Sequence, residues 1–131
     1  MMVISYDGSK FHGFQRQKDV RNVQGYLEEI LSECLMENVV VKGAGRTDAL
    51  VHARGQVFHF DSDIKIDEKG VKKGLNALLP SDIYVKKIEN VSDNFHARFD
   101  AIGKEYIYKI NMGEYNPIER NYVYQYCKKL D

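Results

Sequence analysis

The sequence predicts an α+β domain in which a mixed, mainly antiparallel sheet carries two helices on one face. Three observations lead there. Apolar residues recur at three- and four-residue spacing in two stretches, the period of a helix with one buried side. Short runs rich in Val, Ile, Tyr and Phe, bounded by Gly, Asn, Asp or Pro, read as strands around them. Their order is strand, helix, strand, strand, helix, strand, followed by two more strands. A strand pair enclosed by two helices is the pattern of the split-βαβ, ferredoxin-like fold.

MMVISYDG opens the chain as a short buried strand closed by a glycine turn. SKFHGFQRQKDVRN is polar, basic and glycine-broken, and reads as a loop. From Val23 to Met36, the positions Val23, Tyr26, Leu27, Ile30, Leu31, Cys34 and Leu35 form one amphipathic stripe, with Asn22 as N-cap and Asn38 as terminator. VVVKGAG is a β-branched strand running into glycines, and GQVFHFDS is the strand after it. A second helix runs from Glu68 to Leu79 with Val71, Leu75, Leu78 and Leu79 on one face; Asp67 is its candidate cap and Pro80 its stop. DIYVKKIENV, KEYIYKINM and NYVYQYC supply further strands, the last two joined by the turn-rich GEYNPIERN. YCKKLD closes the chain as a strand with a short basic tail.

The chain has 131 residues, the length of one domain, and such a chain buries about two thirds of the surface its unfolded form exposes. Its 44% hydrophobic and 29% charged residues fit a soluble globular protein. No apolar run approaches the ~20 residues of a membrane span, and a strand stands where a signal peptide would. Cys34 and Cys127 match no metal-ligand spacing, and Cys34, on the apolar helix face, reads as a buried free thiol suited to a reducing cytoplasm. Nineteen basic and nineteen acidic residues leave a net charge of zero. That argues against a protein held to nucleic acid by bulk electrostatics alone and leaves room for a local basic cleft.

Chemistry concentrates in GAGRTDALVHARGQV, Gly43–Val57, where Asp48 is the one acid between Asn38 and Phe60. Arg46 and Arg54 flank it, and nearby guanidinium groups favour an ionised carboxylate. Such a carboxylate serves as a nucleophile, a general base or a stabiliser of positive charge. Gly43 and Gly45 free the backbone, and a connection between two strands is where reactive groups commonly sit. The plain alternative is a surface turn with an exposed ion pair. His12, His52, His59 and His96 find no cysteine or acid to complete a zinc set. Gly43-Ala44-Gly45 is too short for a dinucleotide fingerprint and precedes a strand. In KEYIYKINM, strand alternation puts Tyr106, Tyr108, Ile110 and Met112 on one face, where a tyrosine either packs in the core or stacks on a base.

Five stretches, in order, carry a resemblance: ISYDGSKFHGFQRQ, NVQGYLEEIL, GAGRTDALVHARGQVFHF, LNALLPSDIYV and FHARFDAIGKEYIYKI. The chain resembles the N-terminal half of the tRNA pseudouridine synthase A family. The resemblance implies half of the pseudouridine synthase fold. It also implies an enzyme that isomerises uridine to pseudouridine at positions 38–40, in the anticodon stem-loop of tRNA, without cofactor or metal. By the same resemblance Asp48 matches the essential aspartate, Arg46 the basic residue that holds the target nucleotide out of the stack, and Tyr106 the aromatic that stacks on the flipped base. Thr47, His52 and Arg54 are further expected substrate contacts, and Lys10, Arg16, Lys18 and Arg21 expected contacts to the RNA backbone. The acid has three routes: attack at the sugar C1′, elimination toward a glycal, or addition to uracil C6.

Two departures stand out. Leu50 occupies a position where the family carries glycine, so a positive φ there would strain it. Family members also have a second domain of similar fold that closes the cleft, so residues 1–131 are expected to form the aspartate-bearing domain alone, inactive in isolation. A homodimer is the expected assembly and the cytoplasm the expected location. The competing reading is a non-catalytic ferredoxin-like RNA-binding module, and a third is a dimerisation piece with a vestigial site.

Overall fold

The computed structural model describes residues 1–129; Leu130 and Asp131, at the end of the predicted basic tail, lie outside the described residues. Two compact units are present, Met1–Ala101 and Ile102–Asp131. The first contains β1 (Met2–Tyr6), α1 (Val23–Leu35), β2 (Lys42–Gly43), β3 (Ala53–His59), α2 (Glu68–Leu78) and β4 (Ile83–Ile88). Its sheet has the order β2-β3-β1-β4, and every neighbouring pair is antiparallel. Because β3 runs against both β1 and β2, those two point the same way with β3 inserted between them. That is the split-βαβ arrangement the element order predicts.

An antiparallel sheet buries one face and leaves the other wet, and the strands alternate accordingly. Met2, Ile4 and Tyr6 of β1 are buried while Val3 and Ser5 are half-buried; Ile83 and Val85 of β4 are buried while Tyr84 is exposed. Against that face α1 sets Val23, Leu27, Leu31 and Leu35, and α2 sets Leu75, in one continuous core with Phe11, Phe14 and Phe58. The α1 start is as predicted, with the Asn22 side chain accepting from the Gly25 N–H at 2.7 Å.

Other details differ. The helix ends at Met36, which takes a left-handed conformation (φ 54°), two residues ahead of Asn38. The Asp67 carboxylate makes no capping bond. Leu78 is exposed because α2 stops there, and Leu79 turns inward in its place. Cys34 is half-buried, not buried, and its thiol pKa is raised by burial and by Glu33.

The strand predicted for VVVKGAG shrinks to Lys42–Gly43, because α1 side chains take over its backbone groups. The Glu28 carboxylate accepts from the Val41 N–H at 3.0 Å, Gln24 Nε2 donates to the Val41 carbonyl at 3.1 Å, and Ser32 Oγ accepts from the Val39 N–H at 3.0 Å. Glu28 is itself buried and tied to Arg16 at 2.9 Å. Buried polar groups must be paired, and a helix supplies the partners as well as a strand does.

In the second unit the long strands predicted for KEYIYKINM and NYVYQYC reduce to β5 (Ile110–Asn111) and β6 (Tyr124–Gln125), which pair in parallel. Asn111 and Gln125 reinforce them through side chains at 2.7 Å. Residues 104–109 have no regular structure, so the alternation expected around Tyr106 is absent. Among the described residues this sheet has two short strands, and a two-stranded sheet lacks the apolar face that stabilises a larger one. Among the described residues no helix is long and apolar enough to cross a membrane.

His59 gives the first unit a pH dependence. It is buried, its Nδ1 accepts from the Ala97 N–H at 3.0 Å, and its ring lies 4.6 Å from that of His96. Burial lowers its pKa from the ordinary 6.5, as do His96 and Lys42, while Asp61 opposes them. Since the folded pKa lies below the unfolded one, the stabilising contribution is complete above pH 6.5 and is lost as pH falls through the folded value. Urea midpoints should fall with acidification through that window, and His59→Asn, whose amide oxygen still accepts from Ala97 without titrating, should flatten the decline.

Candidate active site

The segment between β2 and β3 is a loop held at several points. Its first residue, Ala44, extends the strand pairing by donating to the Val57 carbonyl at 2.8 Å, and Gln56 Nε2 donates to the Gly45 carbonyl at 2.6 Å. Thr47 is gripped twice: its Oγ1 lies 2.6 Å from the Tyr6 hydroxyl, and its carbonyl accepts from the Phe14 N–H at 3.2 Å. Beyond it the Asp48 carbonyl accepts from Val51 in a tight turn, and the Leu50 N–H donates to the Phe11 carbonyl, each at 3.2 Å. His52 closes the segment, its Nδ1 accepting from the Gly8 N–H at 2.8 Å and lying 3.2 Å from Asp7 Oδ1.

The partner of this loop is the stretch Asp7–Phe14, itself anchored by two buried rings. Phe14 stacks on Tyr6 with ring centres 6.5 Å apart, and Phe11 meets Tyr26 edge-on at 6.0 Å. The two segments approach closely enough to need glycine twice. A Cβ on Gly13 (φ +83°) would lie 2.5 Å from the Thr47 carbonyl oxygen, and one on Gly8 would lie 2.0 Å from that of Val51. Burial raises the pKa of the Tyr6 hydroxyl above its ordinary value, outweighing the Thr47 bond, so the hydroxyl stays protonated at neutral pH.

This bracing leaves Asp48 exposed at the tip, and among the described residues its carboxylate has no hydrogen bond or ion pair. The expected pairing with Arg46 or Arg54 is not formed. Both arginines are exposed, and an exposed pair gains only about 0–1 kcal/mol, too little to fix two solvated side chains. Thr47 and His52, expected substrate contacts, are half-buried and engaged in holding the loop. Arg54 sits on β3 with its carbonyl bonded to Lys86. Tyr106 belongs to the second unit and is exposed.

The four expected backbone contacts divide into two pairs. Arg21 makes a two-pronged bridge to Asp82 at 2.8 and 3.1 Å and lies 4.1 Å over the Phe11 ring, and the Asp82 bond raises its pKa further. Arg16 is tied to Glu28. Lys10 and Lys18 are exposed. Sequence reasoning missed Tyr6, Gly8, Phe11, Gly13 and Phe14 as site-builders; a signal was present in the aromatic-glycine spacing of YDGSKFHGF.

Leu50 has φ +68° and is 64% exposed. A side chain in the left-handed region costs about 1–2 kcal/mol, part of which glycine returns through its freer unfolded state. Leu50→Gly should therefore stabilise the fold by about 1 kcal/mol, read as an increased urea midpoint with unchanged slope.

The four-stranded sheet with two helices is consistent with a half-domain of the pseudouridine synthase fold. Residues 2–100 match the family described as tRNA pseudouridine synthase, and the chain belongs to that family. It is 49% identical, over its whole length, to the tRNA pseudouridine synthase A of Pseudothermotoga lettingae, covering 54% of that protein. It is 46% identical over 98% of its length to the protein of the same name from Leuconostoc mesenteroides, again covering 54%. With that of Levilactobacillus brevis the identity is 45% over 92% of the chain and 47% of the relative. The chain spans about half the length of the curated relatives it matches.

Proposed function

We propose that this chain is the aspartate-bearing N-terminal half of a tRNA pseudouridine synthase, acting on uridines at positions 38–40 of the anticodon stem-loop. The observation that carries the reading is Asp48: a solvent-facing acid on a loop that Thr47, Leu50 and His52 anchor to the rest of the fold. Isomerisation breaks the bond from uracil N1 to C1′ and forms one from C5 to C1′; the C5 proton leaves to solvent and N1 gains one. An acid held at the ribose serves this as a nucleophile or as a base. A carboxylate with no internal partner has its lone pairs available for either.

The base must leave its stack first, at a cost of a few kcal/mol. Tyr106 offers a stacking surface returning about 1–3 kcal/mol, and Arg46 a planar donor group beside the vacated place. Lys10 and Lys18 take the phosphates, with Arg16 and Arg21 contributing less because their guanidinium groups already face Glu28 and Asp82. No metal or cofactor enters the scheme. The working enzyme is a cytoplasmic homodimer in which a second domain of each chain completes the cleft.

The test is tritium release from tRNA labelled at uridine C5. A protein of the relatives' full length should release tritium, and its Asp48→Ala variant should not. The 131-residue chain alone should show little turnover and weak tRNA binding that falls steeply with salt. Robust turnover by the isolated chain would overturn the half-enzyme reading, and binding without turnover by the full-length protein would favour an RNA-binding module.

A further inference from the structure

We propose that Tyr6 is a positioning residue for the reaction, its hydroxyl fixing through Thr47 the backbone from which Asp48 projects. The inference rests on Asp48 being the reacting acid, and it extends that reading to a residue in the core of the sheet. Tyr6 is the last residue of β1, paired with Ala53 on β3 and Ile83 on β4, and only 4% of it is exposed. It is therefore held by one strand on each side and by the Phe14 ring stacked on its own. Its hydroxyl reaches Thr47 Oγ1 at 2.6 Å, across 41 residues of sequence, and Thr47 is covalently joined to Asp48.

A buried tyrosine hydroxyl needs some partner, and a backbone carbonyl of the sheet would have served stability equally well. Here the partner is the side chain of Thr47, the residue immediately before the acid. The grip acts together with the Phe14 N–H on the Thr47 carbonyl, so the residue before Asp48 is held from both its side chain and its main chain. Two attachments remove the rotation that one would allow. Without the hydroxyl, Thr47 keeps only the 3.2 Å bond to Phe14, and the loop regains a hinge next to the acid. A misplacement of about 1 Å at a reacting group costs up to about 10²-fold in rate.

The experiment compares Tyr6→Phe, Thr47→Val and the double variant in a protein of the relatives' full length, with Asp48→Ala alongside. Tyr6→Phe keeps the buried ring and should lower kcat by about 10-fold or more while KM for tRNA stays within about 3-fold. Thr47→Val removes the same bond from its other end and keeps the test open should Tyr6→Phe fold poorly. The double variant should be no worse than the poorer single one, because both remove one interaction. A kcat for Tyr6→Phe within about twofold of the unsubstituted protein, a loss confined to KM, or multiplicative losses in the double variant would overturn the proposal. If Asp48→Ala retains turnover, the reading of the reaction itself fails; if it is dead while Tyr6→Phe is fully active, the positioning role alone fails.

Discussion

In a protein of the relatives' full length, Asp48→Ala is expected to lower the rate of pseudouridine formation by at least about 10⁴-fold, the scale expected when a reacting side chain is removed, while tRNA affinity should change less than about 3-fold. The asymmetry follows from where the carboxylate sits. It is exposed and, among the described residues, makes no bond within the fold, so its removal leaves no orphaned partner and no cavity. An acid facing a polyanion contributes nothing to phosphate binding, so affinity has no reason to fall with it. Asp48→Asn separates charge from shape: the amide keeps the size but not the nucleophilic or basic oxygen, and should be as inactive as alanine. Asp48→Glu keeps the charge and shifts it by one methylene, so it should retain a small residual rate. Single-turnover tritium release checks all three. An Asp48→Asn variant within tenfold of the unsubstituted rate would mean the acid is not the reacting group.

The second large effect is expected at Gly8, a residue with no chemistry of its own. A Cβ there would stand 2.0 Å from the Val51 carbonyl oxygen, 2.6 Å from its carbon and 3.2 Å from the Leu50 carbonyl carbon. All three are backbone atoms, so no flexible side chain can swing aside. Gly8→Ala should push the loop off Asp7–Phe14, weakening the Gly8 to His52 bond and destabilising the fold by about 2–3 kcal/mol. The same displacement moves Asp48, and turnover should fall by about 10²-fold. The control is Gly74→Ala in α2, where a Cβ meets nothing within 4 Å. That change should stabilise by about 0.5–1 kcal/mol, as alanine for glycine does inside a helix, and leave turnover unchanged. Denaturant melts and turnover on the two variants check both limbs; equal behaviour at the two glycines would sink the close-approach argument.

The elements most legible in the sequence were those whose signal is local. The stripe from Val23 to Leu35 and its Asn22 cap are written in spacings of a few residues, and the structure places α1 where they predict. The strand Met2–Tyr6 alternates in burial as a half-buried strand does, and Ile83–Ile88 does so until the register shifts at the exposed pair Lys86 and Lys87. Elements that fell short did so because something distant in sequence replaced their partners. β2 lost length to Glu28, Gln24 and Ser32 of α1, and the tyrosine-rich run at 104–109 forms no strand and is exposed throughout. In the candidate site the acid was visible as a lone carboxylate among glycines and arginines. Its expected ionic partners were not its real surroundings: Arg46 and Arg54 stay in solvent, and Thr47 and His52 hold the loop.

By itself, then, the sequence determined the order of strands and helices that the split-βαβ arrangement requires, since that depends on residue type and short-range period, and it singled out Asp48 as the candidate acid through a lone carboxylate and a resemblance in motif. Tertiary structure alone decided what surrounds that acid: the Tyr6–Thr47 bond, the glycine contacts at positions 8 and 13, and the withdrawal of Arg21 into its bridge with Asp82. These join residues tens of positions apart, and hydrogen-bond partners at such separations are chosen by packing, which no local spacing encodes.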